Sequence, residues 1–391
     1  AAGRSTDHAL TGIVAVVEGY ADQRRNSASL SSSTSGPAET ARSISISELE
    51  QYAECPFRYH AARGLKLAEP PSDDMDVTAS ERGIILHRIA FEFYRALAEE
   101  ARMSGDEHPG VRLNGTADHY RKLLMKIGVR VLDDSEFGHP YYEVLKNALL
   151  GNDGSVKGVL DTWLDAEIER YTTTGFAPLL LEAEFGVKSD GSGTELLLAG
   201  RSFRGRIDRV DVRVQLDGTV EYLVVDYKSS DRSFHSNTDI IQHGSSFQMP
   251  VYIEAARQLL REKLGERAFV ARGGLYVAFE MKDVSKDRSW SYVLLENVDP
   301  KVDENLKGTN RGQVLSATTA PKTTDEAVAT SMDKAARLIE NMNLGLFPVQ
   351  PAKAETCTYC PYGSVCGIED LRRMGQGLEG RGDADADAGD E

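Results

Sequence analysis

Two short stretches decide the fold: Gly205-Arg-Ile-Asp-Arg-Val-Asp211 and Tyr222-Leu-Val-Val-Asp-Tyr-Lys228. Both read as strands, in which alternate side chains share a face, so Asp208 lies with Val210, Val212 and Val214, and Asp226 lies with Lys228. Two aspartates and a lysine on otherwise apolar strands are costly to bury unless they serve one another or a cation. The connection Gln215-Leu-Asp-Gly-Thr219 contains Asp-Gly, a strong hairpin signal. A loop of only Asp217-Gly218 would set Asp208 opposite Tyr227, on the wrong face from Asp226. The longer loop Leu216-Asp217-Gly218, with glycine in the left-handed region, sets Asp208 opposite Asp226 instead. A metal shared by these acids therefore requires a loop with an odd count of residues.

Converging carboxylates are the hard oxygen ligands that Mg2+ or Mn2+ prefers. Such an ion polarises a phosphate and lowers the pKa of bound water. Lys228 beside it would orient that water and stabilise negative charge in the transition state. An ordinary cross-strand ion pair fits these residues equally well when they are taken alone.

Outward from this hairpin the apolar period changes. Helical spacing covers about 79–102, where Ile85, Ile89, Phe93 and Leu97 recur on one face, and then about 117–131, 140–150 and 155–173. From Leu179 the pattern becomes strand-like, through Glu195-Leu-Leu-Leu198, 203–214 and 220–228. A helix at about 245–263, strands at about 273–280 and 290–296, and a helix at about 324–343 follow. Ser47 with Glu50 forms a capping-box pattern and predicts one helix running through Cys55 and Tyr59. This order predicts an α/β chain with a mixed sheet flanked by helices, without internal repeats. The expected divisions are an extension and Ser-rich linker at 1–42, a helical part at 43–175, a core sheet at 176–300, a C-terminal helix and cysteine cluster at 301–370, and a disordered acidic tail at 371–391.

With 391 residues, 41% hydrophobic and 27% charged, the chain can bury a substantial core. It holds no run of about 20 apolar residues, which predicts no membrane span and a cytoplasmic protein. It opens on Ala1 rather than methionine, which suggests a processed product or part of something longer. The net charge of −16 argues against phosphate binding at first sight. Five of the acids crowd into the last ten residues, however, while Arg201, Arg204, Arg206, Arg209 and Arg213 fall in one short stretch. Charge distribution, not the total, selects the partner. No phosphate loop of the Gly-x4-Gly-Lys-Ser/Thr kind is present, so a motor for unwinding would have to come from elsewhere.

Asp208 followed by Asp226-Tyr-Lys228 resembles the signature of the PD-(D/E)xK nucleases, and its surroundings resemble their RecB-like branch. Arg82-Gly-Ile-Ile-Leu-His87 is similar to the branch's Gly-x-x-x-His helix, and Gln248-Met-Pro-Val-Tyr252 to its Gln-x-x-x-Tyr motif. The resemblance implies a restriction-endonuclease-like core. His87, Asp208, Asp226 and the carbonyl of Tyr227 would hold the metal, Lys228 would assist the attacking water, and Gln248 with Tyr252 would position the strand. Ile207 stands where the signature has proline, a change that removes no ligand. Glu184, on the preceding strand, is read either as support for the site or as a solvent-facing carboxylate. Arg204 and Arg206 are read either as phosphate contacts or as solvated strand charges.

The four cysteines are Cys55, about three hundred residues upstream, and the group Cys357-Thr-Tyr-Cys360-Pro-Tyr-Gly-Ser-Val-Cys366. That count suits a metal in a reducing compartment better than a disulfide framework. With Ser45-Ile-Ser-Glu-Leu-Glu-Gln-Tyr-Ala-Glu-Cys-Pro-Phe-Arg-Tyr59 ahead, the arrangement resembles the iron–sulfur nuclease domain of AddB-type helicase–nuclease proteins. All four thiolates would there hold a 4Fe-4S cluster; zinc is the rival occupant. A staple of this kind would restrict the unfolded chain by roughly 5 kcal/mol in the loop-closure model. The implied function is exonucleolytic hydrolysis of single-stranded DNA fed by a helicase partner, or by a helicase-like region absent from this sequence, in double-strand-break repair. Two alternatives remain: a non-catalytic DNA-binding scaffold, and a stand-alone nuclease of the defence or CRISPR-adaptation type.

Overall fold

In a computed structural model of the chain, the decisive hairpin closes with the odd loop. Gln215 N donates to Thr219 O at 2.9 Å and Gly218 N to Gln215 O at 3.0 Å, which leaves Leu216-Asp217-Gly218 as the turn. Gly218 takes a φ of 85°, the left-handed geometry that a Cβ would strain. Register then runs from Val214 opposite Val220 to Arg209 opposite Val225, which puts Asp208 at the position facing Asp226.

The structure describes residues 43–67, 79–134, 142–152, 156–186, 193, 195–230, 233–280, 290–296, 314–316, 318–358 and 360–368. The linker expected at 1–42 and the acidic tail expected at 371–391 lie outside them. In chain order the elements are β1 (Ile44–Ser45), α1 (Ile46–Glu54), α2 (Pro56–Tyr59), α3 (Ala79–Met103), α4 (Ala117–Asp134), α5 (Tyr142–Leu150), β2 (Gly151–Asn152), β3 (Val156–Lys157) and α6 (Val159–Thr174). Then come β4 (Ala177–Phe185), β5 (Leu196–Leu198), β6 (Arg201–Val214), β7 (Val220–Ser230), α7 (Gln248–Leu264), β8 (Phe269–Glu280), β9 (Trp290–Val293), α8 (Thr324–Asn343) and α9 (Gly363–Cys366). They form two units, one from Ser43–Ile46 with Asp73–Ala335 and one from Ser47–Ser72 with Ala336–Glu391. Among the described residues, no helix is long and apolar enough to cross a membrane.

The larger unit is built on a seven-stranded mixed sheet. β6 pairs antiparallel with β7 and β4, β7 pairs parallel with β8, and β8 pairs antiparallel with β9. A parallel neighbour needs a crossover, and α7 supplies it between β7 and β8. One face of the sheet packs on α3, α4 and α6, where Ile89, Phe93, Leu124, Trp163, Val225 and Leu275 are all buried in one cluster. Each such side chain contributes roughly 1.5–3 kcal/mol of burial. The other face is covered by α7, whose Ile253 carbonyl accepts a 3.1 Å bond from Tyr222 Oη. Gly274 makes that approach possible, since a Cβ there would stand 2.1 Å from the Met249 sulfur.

Beneath the sheet lies a fully buried ionic group. Arg209 is 0% exposed and reaches Glu167 at 2.9 Å, the Tyr227 hydroxyl at 2.5 Å and Asp211 at 2.8 Å. The Asp211 approach through Nε is a charge contact more than a directed hydrogen bond. Arg170 binds the same two acids, each at 3.0 Å, and Tyr94 Oη donates to Glu167. The charges sum to zero, which is what permits the burial. Burial opposes ionisation of Glu167, but the adjoining Arg170 and Arg209 prevail and hold its carboxyl down to about 2. At Asp211 burial wins over the same arginines, and its pKa is raised. Of the five clustered arginines, Arg209 is thus a core residue.

In the smaller unit the expected single helix is two. α1 begins at Ile46, so Ser47 lies inside its first turn, and Cys55 breaks the path with φ −166° and ψ 112°. The reason is Pro56, which drives the preceding residue out of the helical region and then opens α2 as its first residue.

Replacing Arg209 by methionine strands Glu167 and Asp211 with one guanidinium between them. We expect a loss of about 3–5 kcal/mol in urea unfolding. Arg204→Met, at an exposed position, serves as the comparison and stays within about 0.5 kcal/mol.

Candidate metal centre

The ladder between β6 and β7 stops at Arg209–Val225. One residue further, the Tyr227 amide donates to a side chain, Asp208 Oδ2, at 2.9 Å. His87 enters from α3 with Nδ1 3.5 Å from that same oxygen. Its Nε2 lies 3.2 Å from the Tyr227 carbonyl. A carbonyl can only accept, so Nε2 carries the proton here, and Nδ1 faces Asp208.

The third member is Glu182, which the sequence reading missed. Leu181 pairs with Arg209 and Ala183 with Ile207, so Glu182 faces Asp208 in register. His87, Glu182 and Asp208 each offer a ligand atom, and these atoms lie within 4.8 Å of one another. Glu182 holds a φ of 46°, uncommon for a residue with a side chain and a form of strain that gathers at functional sites. Glu184, the acid considered from sequence, is exposed. Only the register of β4 against β6 distinguishes the two, and no local motif carries that information.

Asp226 stands beside this group and is 2% exposed. Its Oδ1 accepts from Gln248 Nε2 at 2.8 Å, while Lys228 Nζ lies 2.7 Å from Oδ2. That Oδ2 atom is buried without a hydrogen bond of proper geometry, so its charge has only the ammonium to answer it. Gln248 also accepts from Lys228 Nζ at 3.0 Å and reaches Tyr252 Oη at 3.4 Å, one turn along α7. Gln248 and Tyr252 therefore do share a face, and Gln248 holds both halves of the Asp226–Lys228 pair.

The electrostatics describe a site with excess negative charge. Burial raises Asp226 to about 6, with Lys228 opposing and Asp208 adding to the rise. Burial and the charge of Asp208 also raise Glu182. For His87, burial disfavours the cation, yet the hydrogen bond and charge of Asp208, then Asp226 and Glu182, outweigh it and its pKa goes up. An imidazole, two carboxylates in mutual reach and a third, buried acid beside them fit a hard divalent cation. The centre opens into a cleft of about 640 Å³ walled by α3 on one side and by Glu182, Arg206, Lys228 and Ser229 on the other. Arg206 bonds Glu182 at 2.8 Å, whereas Arg204 is exposed and does not line the cleft.

The cysteines belong to the smaller unit. Phe57 N donates to Pro348 O at 3.1 Å and Ala352 N to Glu54 O at 2.9 Å, so the C-terminal segment is stitched on either side of buried Cys55. Cys357 ends a 3₁₀ turn, Cys360 N reaches Cys357 O at 3.3 Å, and Cys366 ends α9. None of the four is in a disulfide. Among the described residues no three of their sulfurs lie within 4.8 Å of one another.

A mixed sheet with an aspartate where the β6–β7 ladder ends, an Asp-x-Lys on the neighbouring strand and a histidine from a covering helix is the architecture of a nuclease core. The chain belongs to the PD-(D/E)XK nuclease superfamily, whose model matches residues 43–367. It is similar to the ATP-dependent helicase/deoxyribonuclease (B-type component) of Caldanaerobacter subterraneus subsp. tengcongensis, 26% identical over 362 residues and covering 83% of this chain and 30% of the relative. The proteins of that name from Thermoanaerobacter sp. (strain X514) and Clostridium novyi are 24% and 25% identical, with the same coverage. The chain thus spans about 30% of the length of the curated relatives it matches.

The raised pKa of Asp226 has a stability consequence. Its folded value near 6 lies above the unfolded one, so the proton favours the native state. Metal-free protein should lose stability as pH rises from about 4 through about 6. Asp226→Asn removes the buried charge: its unfolding free energy in chelator should match the parent's below about pH 4 and exceed it by about 1–3 kcal/mol at pH 7.

Proposed function

We propose that this chain is the nuclease domain of an AddB-type helicase–nuclease, acting as a metal-dependent DNA exonuclease that hydrolyses phosphodiester bonds in single strands delivered by a helicase. The observation that carries this reading is the convergence of His87, Glu182 and Asp208 on one point beside the Asp226–Lys228 pair, in a cleft open to solvent. The printed names of the relatives supply the helicase and deoxyribonucleic substrate, which for this chain are part of the proposal.

His87, Glu182, Asp208 and Asp226 would hold Mg2+ or Mn2+. The bound cation supplies a polarised phosphate and water of lowered pKa. The chain's own residues do the rest. Tyr227 fixes the geometry from the backbone, its amide orienting Asp208 and its carbonyl accepting from His87 Nε2, the kind of outer hydrogen bond that sets a ligand's tautomer. Lys228 has one donor beyond those used by Asp226 and Gln248, and it directs that N–H at the attacking water and the charge growing on phosphate. Gln248 keeps that ammonium from drifting, and Tyr252 props Gln248. Arg206 neutralises Glu182 at the cleft mouth and is the better candidate of the two arginines for a phosphate contact.

We further propose that Cys55, Cys357, Cys360 and Cys366 hold a 4Fe-4S cluster that clamps the two ends of the domain. A zinc tetrahedron with bonds of about 2.3 Å would draw its sulfurs to roughly 3.8 Å apart. The backbone bonds flanking Cys55 support the clamp reading, since they already bring the two ends together.

Two measurements test these assignments. With Mg2+ and an end-labelled single-stranded oligonucleotide, Lys228→Ala and Asp208→Ala should each lower turnover by about 100-fold or more with circular dichroism unchanged. A Lys228→Ala chain that digests DNA as fast as the parent would point to the non-catalytic scaffold instead. Anaerobically purified protein should carry iron and acid-labile sulfide in equal amounts, lost in Cys357→Ser; stoichiometric zinc without iron would overturn the cluster.

A further inference from the structure

The helix wall of the cleft has no part in the chemistry above. Along α3 the positions Gly83, Ile84, His87, Arg88 and Phe91 form one stripe at helical spacing, and all of them line the cleft. His87 alone is accounted for. A single exposed apolar side chain carries no message. Here, however, Ile84 is 67% exposed directly against the candidate ligand, and Phe91 continues the same wall one turn beyond it. Arg88 is paired with Asp134 of α4 at 3.3 Å and with Glu92 of α3 at 3.5 Å, so the apolar part of this wall is Gly83, Ile84 and Phe91, the last with the Arg95 guanidinium over its ring at 5.5 Å.

Gly83 adds an independent observation. Inside a helix a glycine costs roughly 1 kcal/mol relative to alanine. Among the described residues a Cβ built on Gly83 meets no heavy atom within 4 Å, so the bare backbone there faces open space. It leaves room for a strand to pass close to the helix at this point.

The opposite wall is polar, with Arg206, Lys228, Ser229 and Ser233. A single nucleic-acid strand has this same two-sidedness, with phosphates on one edge and flat apolar bases on the other, and proteins bind it through charged grooves faced by stacking platforms. At about 640 Å³ the cleft has the size of a small-molecule site, suited to a nucleotide or two and not to a stacked duplex. We propose that Gly83, Ile84 and Phe91 form a base-side wall that holds single-stranded DNA while its scissile phosphate lies against His87, Glu182 and Asp208. This rests on the nuclease reading and adds to it the means by which a strand is told from a duplex.

The test compares the full chain with Ile84→Ser, Gly83→Ala and Phe91→Ala on two substrates with Mg2+: fluorescein-labelled oligothymidylate, which needs the wall, and bis(p-nitrophenyl) phosphate, which is too small to span it. Phe91→Ala should raise the oligonucleotide KM by about 5- to 150-fold, the range for losing one stacked base. Ile84→Ser and Gly83→Ala should raise it several-fold, and Gly83→Ala should melt at a higher temperature than the parent while doing so. In each variant the ratio of oligonucleotide to small-diester kcat/KM falls. An unchanged ratio in both Ile84→Ser and Gly83→Ala, whose side chains leave the core untouched, overturns the wall. A parent chain that cleaves neither substrate overturns the nuclease reading instead; the wall is then judged by oligothymidylate anisotropy, and equal affinity for parent and Ile84→Ser sinks it.

Discussion

At Asp208 the sheet gives up a backbone hydrogen bond, and the candidate centre depends on that exchange. β6 and β7 part beyond Arg209–Val225, and the Tyr227 amide finds its acceptor in the Asp208 carboxylate. The strands can splay because β7 remains paired with β8 as far as Ser230, so only one edge of it is released. The gap admits His87 from the helix layer and lets Glu182 face Asp208 from β4. An unmade backbone bond would cost free energy in a buried sheet; the carboxylate offsets that cost and is itself oriented by doing so.

Tyr227 joins this arrangement to the interior. Its backbone addresses Asp208 and His87, while its ring stacks near Phe279 and its hydroxyl binds Arg209. The neutral ionic group of Glu167, Arg170, Arg209 and Asp211 is therefore the floor on which the candidate ligands stand. A buried group of this kind is a poor source of net stability but holds one geometry strongly, because any displaced charge goes unanswered. Above it, burial and mutual charge raise the pKa values of Asp226 and Glu182, the neighbouring acids raise that of His87 against its burial, and a cation would relieve the strain on the acids.

Much of the fold was legible in local pattern. The apolar period marked α3 and α8 closely, and of the two registers that the Asp-Gly turn allowed, the one that sets the two aspartates opposite each other is the one formed. The break at Cys55 is also written locally, in Pro56, which a capping pattern at Ser47 cannot offset nine residues further on. Glu182 was not legible. Alternation along β4 gives Glu182 and Glu184 the same face, and a positive φ within the strand together with pairing to β6 separates them. Arg209 misled in the opposite way: among clustered arginines it resembled a surface charge, and two acids distant or adjacent in sequence make it a core residue.

The sequence by itself determined most of the elements, the Asp-Gly turn with its two alternative registers, and the candidate residues His87, Asp208, Asp226, Lys228 and the four cysteines, because each is carried by spacing along one strand, helix or turn. Only the tertiary structure decided that Glu182 joins the candidate centre, that Arg209 belongs to its foundation and that α3 presents Gly83, Ile84 and Phe91 to the cleft. Those facts follow from pairing and packing between segments far apart in the chain, where the free energy of a side chain is set by its neighbours in space.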